Sequence, residues 1–234
     1  MVYASLGKAI EENCPEEYVE QAIQNDPNSL NAVDDDKRTP LHWACSVGKV
    51  NTIYFLLKQP NIKPDEKDEA GWTPLMISIN NRSVPDNVIE ELINRSDVDP
   101  TITTRGGQTC LHYAAGKGRL SIVQLLCDKA PELIRKKDLQ GQTPLHRAAA
   151  VGKIQVVKYL ISQRAPLNTS DSYGFTPLHF ALAEGHPDVG VELVRAGADT
   201  LRKDSENHTA LEVCPDRIVC NEFLEACKEQ NLEI

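Results

Sequence analysis

The chain has 234 residues, of which 25% are charged and 41% hydrophobic, and its formal net charge is −9. That hydrophobic content is enough for a folded core, and no apolar run approaches the 18 residues of a membrane span. The start, Met1-Val2-Tyr3-Ala4-Ser5, leads into acidic sequence instead of a basic and then apolar segment, which argues against a secretory signal.

In chain order, Leu6 and Ala9 open a first short helix, and Tyr18, Val19, Ala22 and Ile23 fit a second. Thr39-Pro40-Leu41-His42 follows and then returns along the chain. It recurs as Thr73-Pro74-Leu75-Met76, Thr109-Cys110-Leu111-His112, Thr143-Pro144-Leu145-His146 and Thr176-Pro177-Leu178-His179, and fades as Thr209-Ala210-Leu211-Glu212. Each copy predicts the same local structure. In the copy at 138–168, Asp138 and Gly141 suit a tight turn. Thr143 caps a helix whose first position is Pro144, where a missing N–H costs nothing. Small residues Ala148, Ala149 and Ala150 let units stack closely, and Gly152 ends the helix. A second helix runs from Ile154 to Ile161 with apolar residues at helical spacing. The same frame predicts second helices over 88–93, 120–127 and 189–194. The longer step from Thr73 to Thr109 reflects about two extra residues near Ser83-Val84-Pro85-Asp86, with Arg82 in place of glycine and Pro85 at a helix start. Ile218 to Cys227 forms a closing helix.

Self-similarity near 33 residues with this tetrapeptide resembles an ankyrin array. The resemblance implies an all-α solenoid of about seven helix-turn-helix repeats with β-hairpin-like finger loops. It is expected as one domain over 1–234: a degenerate capping repeat at 1–35, five clear repeats over 36–203, and a capping repeat at 204–234. Terminal repeats of a solenoid depart from the pattern because one face meets no neighbour.

Nothing in the residues predicts catalysis. Four of the six histidines (His42, His112, His146, His179) are the fourth residue of the tetrapeptide, where a ring can bond neighbouring turn backbone. No HExxH, paired Cys/His spacing or GxSxG occurs. Ala115-Gly116-Lys117-Gly118 lacks the earlier glycine and the Ser/Thr of a phosphate loop. No metal or cofactor is expected. The seven cysteines form no C-x-x-C pair, and Cys45 and Cys110 fall at small-residue positions of the repeat, which points to a reducing compartment, cytosol or nucleus.

Charge is unevenly spread. Residues 1–36 carry one basic and nine acidic side chains, 37–104 eight and nine, 105–164 eleven and three, and 165–234 five and thirteen. The bland reading is solvated surface charge. The sharper one is a protein partner with a complementary pattern, since charge fields steer encounter and set register. Two acidic ends and a pI near 5.2 disfavour nucleic acid. Candidate binding residues lie between each turn aspartate and the threonine, and on the adjoining helix. They are Asp35, Asp36, Arg38, Glu69, Trp72 and Phe175 on the fingers, and Trp43, Tyr113, Lys117 and Arg147 on the first helices. Large aromatics and arginine dominate binding hot spots. For Trp43 and Phe180, packing between fingers is an equal alternative; for Trp72 and Arg38 the hot-spot reading is the stronger.

Arg38-Thr39-Pro40-Leu41-His42-Trp43-Ala44-Cys45-Ser46, Asp68-Glu69-Ala70-Gly71-Trp72-Thr73-Pro74-Leu75 and His146-Arg147-Ala148-Ala149-Ala150 resemble the gankyrin family. These are assembly chaperones of the proteasome regulatory particle, and length and repeat number agree along the whole chain. The resemblance implies a monomer that binds the C-terminal domain of one proteasomal ATPase subunit along its concave face. Asp36 and Glu69 would be its acidic contacts and Arg38 and Lys117 its basic ones. The implied setting is cytoplasmic and nuclear, with no membrane. Met76 departs from the repeat histidine, and no LxCxE segment is present, the nearest stretch being Leu182-Ala183-Glu184. A generic ankyrin adaptor for a signalling or transcription factor is the alternative.

Overall fold

A computed structural model describes residues 3–232 and 234. Among them the chain forms thirteen α-helices and no sheet, and it divides into two compact units, 1–105 and 106–234.

The first unit holds α1 (Leu6–Glu11), α2 (Glu16–Asn25), a 3-10 turn (Pro27–Asn31), α3 (Pro40–Val47), α4 (Val50–Leu57), α5 (Pro74–Asn80) and α6 (Asp86–Asn94). First helices of successive repeats pack together, α1 on α3 and α3 on α5, and α2 packs on α4 behind them. Ala44 and Cys45 are completely buried at the α3 contact, where a larger side chain would push the helices apart. Burial pushes the Cys45 thiol up to about 12, so it stays protonated and inert. The extra residues between α5 and α6 replace the left-handed glycine that ends α3 (Gly48, φ 81°). In their place Asn81 turns its amide back to the carbonyls of Cys45 and Ser46, both at 2.9 Å.

The second unit holds α7 (Cys110–Lys117), α8 (Leu120–Lys129), a 3-10 turn (Pro131–Arg135), α9 (Pro144–Ala150), α10 (Ile154–Ser162), α11 (Pro177–Ala183), α12 (Pro187–Arg195) and α13 (Arg217–Glu229). First helices stack as α7, α9, α11, and second helices as α8, α10, α12, with α13 closing on α12. The last repeat lacks its first helix: Thr209 forms an isolated bridge with Lys203, and residues 210–213 form turns. Glu212 takes the histidine's place and its Oε2 accepts the Thr209 N–H at 2.7 Å and hydroxyl at 3.0 Å. Pro215 then disfavours helical backbone at Cys214, so a helix opened after Thr209 has no room to extend beyond about one turn.

The repeated tetrapeptide works as a hydrogen-bonded device. The Thr39 N–H donates to His42 Nδ1 at 3.1 Å. A backbone N–H can only donate, so Nδ1 is unprotonated and the ring proton sits on Nε2. Nε2 donates to the Trp72 carbonyl of the next finger at 3.1 Å. His112, His146 and His179 do the same to Gln142, Phe175 and His208, at 3.1, 3.2 and 3.2 Å. One ring thus caps its own helix and ties it to the following repeat. Burial holds all four imidazoles below their ordinary pKa, His146 at about 4. Met76 fills the same place, 1% exposed, with no ring to offer.

Candidate functional site

Each finger is a turn ordered by its first residue. Asp68 Oδ1 accepts the N–H groups of Ala70 and Trp72 at 2.9 and 2.8 Å. Asp34, Asp138, Asp171 and Asp204 do this in their own fingers. These aspartates are therefore structural. The fourth finger residue takes a left-handed conformation, with Gly71 at φ 83°. A Cβ there would lie 2.8 Å from the Arg105 backbone nitrogen. That close approach exists because fingers bond to each other: Glu69 N–H to Asp36 O at 2.8 Å and Arg105 N–H to Ala70 O at 3.0 Å. Backbone bonds occupy the same places at 139 to 106, 172 to 140 and 205 to 173. The second, third and fifth finger positions hold the candidate binding side chains.

In the first unit these positions converge. Asp36, Arg38, Asp68, Glu69, Ala70 and Arg105 line one depression of about 300 Å³. Arg38 lies over the Trp43 ring, 4.9 Å from its centroid, and its Nε is 3.4 Å from Asp68 Oδ2. Trp43 is fixed in turn by its indole N–H, which donates to Asp34 Oδ2 at 2.7 Å. Trp43 is half-buried and belongs to the support beneath Arg38, while the Arg38 side chain stays 30% exposed. Glu69 and Arg105 are both exposed and 3.6 Å apart. Such a pair is worth about 0–1 kcal/mol, so opening it costs little. Asp35 is exposed on the first finger, and half-buried Trp72 presents its backbone carbonyl to His42. Arg105 belongs to the same set of finger residues between turn and threonine and holds the same finger position as Glu69.

The second unit carries the other candidates. Tyr113 donates its hydroxyl to Gln108 at 2.8 Å, and Arg147 reaches the Gln142 side-chain oxygen at 3.4 Å. Both helix residues thus lean on the fifth residue of their own finger. Lys117 is exposed at the end of α7. Phe175 stacks on His179 (5.5 Å, 19°) and meets Phe180 edge-on (5.6 Å, 76°). Phe180 also meets His146 edge-on at 5.8 Å, so both phenylalanines pack within the array and keep a face on its surface.

A family model for ankyrin repeats (three copies) matches overlapping stretches at 6–104, 60–137, 81–171 and 131–204. The chain belongs to the ankyrin-repeat family. Its backbone is similar to the ankyrin domain of Bcl-3 (TM-score 0.72, 24% identity, 94% of this chain and 98% of that one). It is similar also to human ASB11 (TM-score 0.74, 22% identity, 94% and 96%). Among curated relatives it is 36% identical over 123 residues to a Saccharomyces cerevisiae protein named probable 26S proteasome regulatory subunit p28, covering 51% of this chain and 53% of that one. It is 33% identical over 73 residues to the 26S proteasome non-ATPase regulatory subunit 10 of Dictyostelium discoideum (31% and 28%). It is 33% identical over 104 residues to the SMC5-SMC6 complex localization factor protein 1 of Bos taurus (44% and 10%). The matched stretch spans about half the length of the yeast relative and less of the other two.

Proposed function

We propose that this ankyrin protein is a non-catalytic assembly chaperone of the proteasome regulatory particle, binding the C-terminal domain of one base ATPase subunit through complementary charges. The observation that carries the reading is the convergence of Asp36, Arg38 and Glu69, the residues of the gankyrin resemblance, on one depression with Arg105 added. Similarity to proteins named as proteasome regulatory subunits in yeast and Dictyostelium supports the same partner class. The mechanism is steric and thermodynamic. A fixed array offers charges at set spacing, and an ATPase domain so occupied is stabilised and kept from docking early. Alternating acidic and basic side chains select a partner of matching pattern, because a like-charged juxtaposition costs several kcal/mol.

The test is titration of the full chain against the isolated C-terminal domain of each proteasomal ATPase subunit, at low and high salt. Tight binding to one subunit, weakened by salt, is the expected result. Charge reversal by Glu69→Lys or Lys117→Glu should each weaken that binding by roughly 1–3 kcal/mol where the contact is dry, and less at a rim. Absence of binding to every subunit, or reversals that leave affinity unchanged in a folded protein, would overturn the reading and leave an adaptor for another partner.

A further inference from the structure

The second unit has its own depression, of about 370 Å³, which the proteasome reading does not use. Tyr173, Phe175 and Phe180 line it together with Asp171, Asp204 and Glu206; no lysine or arginine does. We propose that this depression is a second recognition site, for an arginine side chain on an extended basic segment of a protein partner.

Geometry and charge select that occupant. Tyr173 is 65% exposed at its finger tip, and the Ser205 N–H donates to its carbonyl at 2.9 Å, which sets the Tyr173 finger beside the one bearing Glu206. Phe175 and Phe180 are held by edge and stacking contacts, so their faces are pre-positioned and cost little entropy on binding. A planar guanidinium stacks on such faces and forks onto a carboxylate, whereas an ammonium offers only a point charge. Glu206 is the exposed carboxylate, with its side chain 82% accessible. Asp204 stays ionised because the His208 backbone N–H holds its carboxyl below the usual range. Residues 165–234 carry thirteen acids against five basic residues, a field that attracts a cationic segment before contact. Asp171 and Asp204 hold their own fingers, so Glu206, with the His208 ring near it at 4.0 Å, is the carboxylate that an acidic or purely apolar occupant would leave without a cationic partner.

The experiment titrates the full chain with acetyl-Gly-Arg-Gly-Arg-Gly-amide and with its lysine counterpart, followed by NMR of the aromatic side chains. The expected result is saturable shifts at Tyr173, Phe175, Phe180 and His208, with the lysine peptide at least ~3-fold weaker. Tyr173→Ala and Glu206→Gln should each weaken the arginine peptide by about 3–10-fold, and Tyr173→Phe should retain it. Tyr173 is exposed and its finger is ordered by Asp171, so the variants should keep the wild-type shifts of His146. Equal binding of the two peptides, non-saturable shifts spread over the acidic surface, or indifference to Tyr173→Ala would overturn the proposal. None of these outcomes depends on an ATPase partner.

Discussion

The two units share a backbone frame and differ in what they hang on it. Residues 1–105 contain one ring-linked repeat, through His42, and both tryptophans; residues 106–234 contain three, through His112, His146 and His179. At the recognition positions the first unit mixes both signs of charge, with Asp36, Arg38, Glu69 and Arg105. The second sets aromatic rings among carboxylates. The units therefore differ at the candidate binding positions of their fingers, while the Thr–His device repeats in both.

Acid should separate the units most strongly. An unfolded histidine takes its proton near pH 6.5, and each buried ring takes it only at lower pH, His146 near 4. The folded state is thus disfavoured as pH falls below 6.5. The stability of the neutral ring is complete above that value and is lost on the way down to the folded pKa, at up to about 1.4 kcal/mol per histidine per pH unit. Three such rings in the second unit against one in the first predict a steeper loss there between pH 6.5 and 5. Tryptophan fluorescence follows only the first unit, since Trp43 and Trp72 are the chain's two tryptophans. Circular dichroism follows both. Urea midpoints that shift in parallel by the two probes across this window would contradict the prediction.

His146→Ala should follow in size, costing the second unit roughly 2–4 kcal/mol. It strands the buried Thr143 N–H, removes the donor to the part-buried Phe175 carbonyl and opens a void beside Phe180. The fluorescence-monitored transition should stay nearly in place if the first unit unfolds by itself. If both transitions move together, the units unfold as one.

Much of this was legible in the residues, and the reason is repetition. One Thr-Pro-Leu-His copy is an ambiguous tetrapeptide; three exact and two near copies at a near-constant stride identify the cap, the helix and its buried face. The second helices were legible because their apolar spacing is strict. The 3-10 turns at Pro27–Asn31 and Pro131–Arg135 were not, since each is a single copy-specific variation on a loop. The missing helix at 210–213 depends in part on Pro215, three residues beyond the Thr209–Glu212 motif that opens the repeat. At the site, Arg38 and Glu69 stood out by type. The support of Arg38 by Trp43 and Asp68, and the pairing of Arg105 with Glu69, needed the register between fingers, which is a three-dimensional fact.

Arg38→Ala tests whether the charged cluster of the first unit also serves the fold. The change removes the stack on Trp43 and leaves the Asp68 carboxylate, 4% exposed, without its cation. We expect a loss of about 1–2 kcal/mol in the first unit, monitored by tryptophan fluorescence. Arg38→Lys should recover only part of it, because an ammonium does not stack as a planar guanidinium does. Full recovery by lysine would show that charge alone matters there.

The smallest effect concerns the one finger of the first unit that departs from glycine. Lys37 sits at φ 60°, in the position that Gly71 fills at φ 83°. A lysine in that left-handed region is disfavoured by roughly 1–2 kcal/mol relative to ordinary backbone, and glycine is not. Glycine gives back part of the gain through the greater freedom of the unfolded chain, so Lys37→Gly should stabilise the first unit by only about 0.5 kcal/mol. The reverse change at the neighbouring finger, Gly71→Lys, should cost several times more. There the new Cβ meets the Arg105 backbone as well as the unfavourable φ. Measured as a pair by fluorescence-monitored urea unfolding, the two substitutions separate backbone strain from steric contact between fingers. If Gly71→Lys costs no more than Lys37→Gly gains, the close approach of the fingers contributes nothing, and strain alone accounts for the glycine.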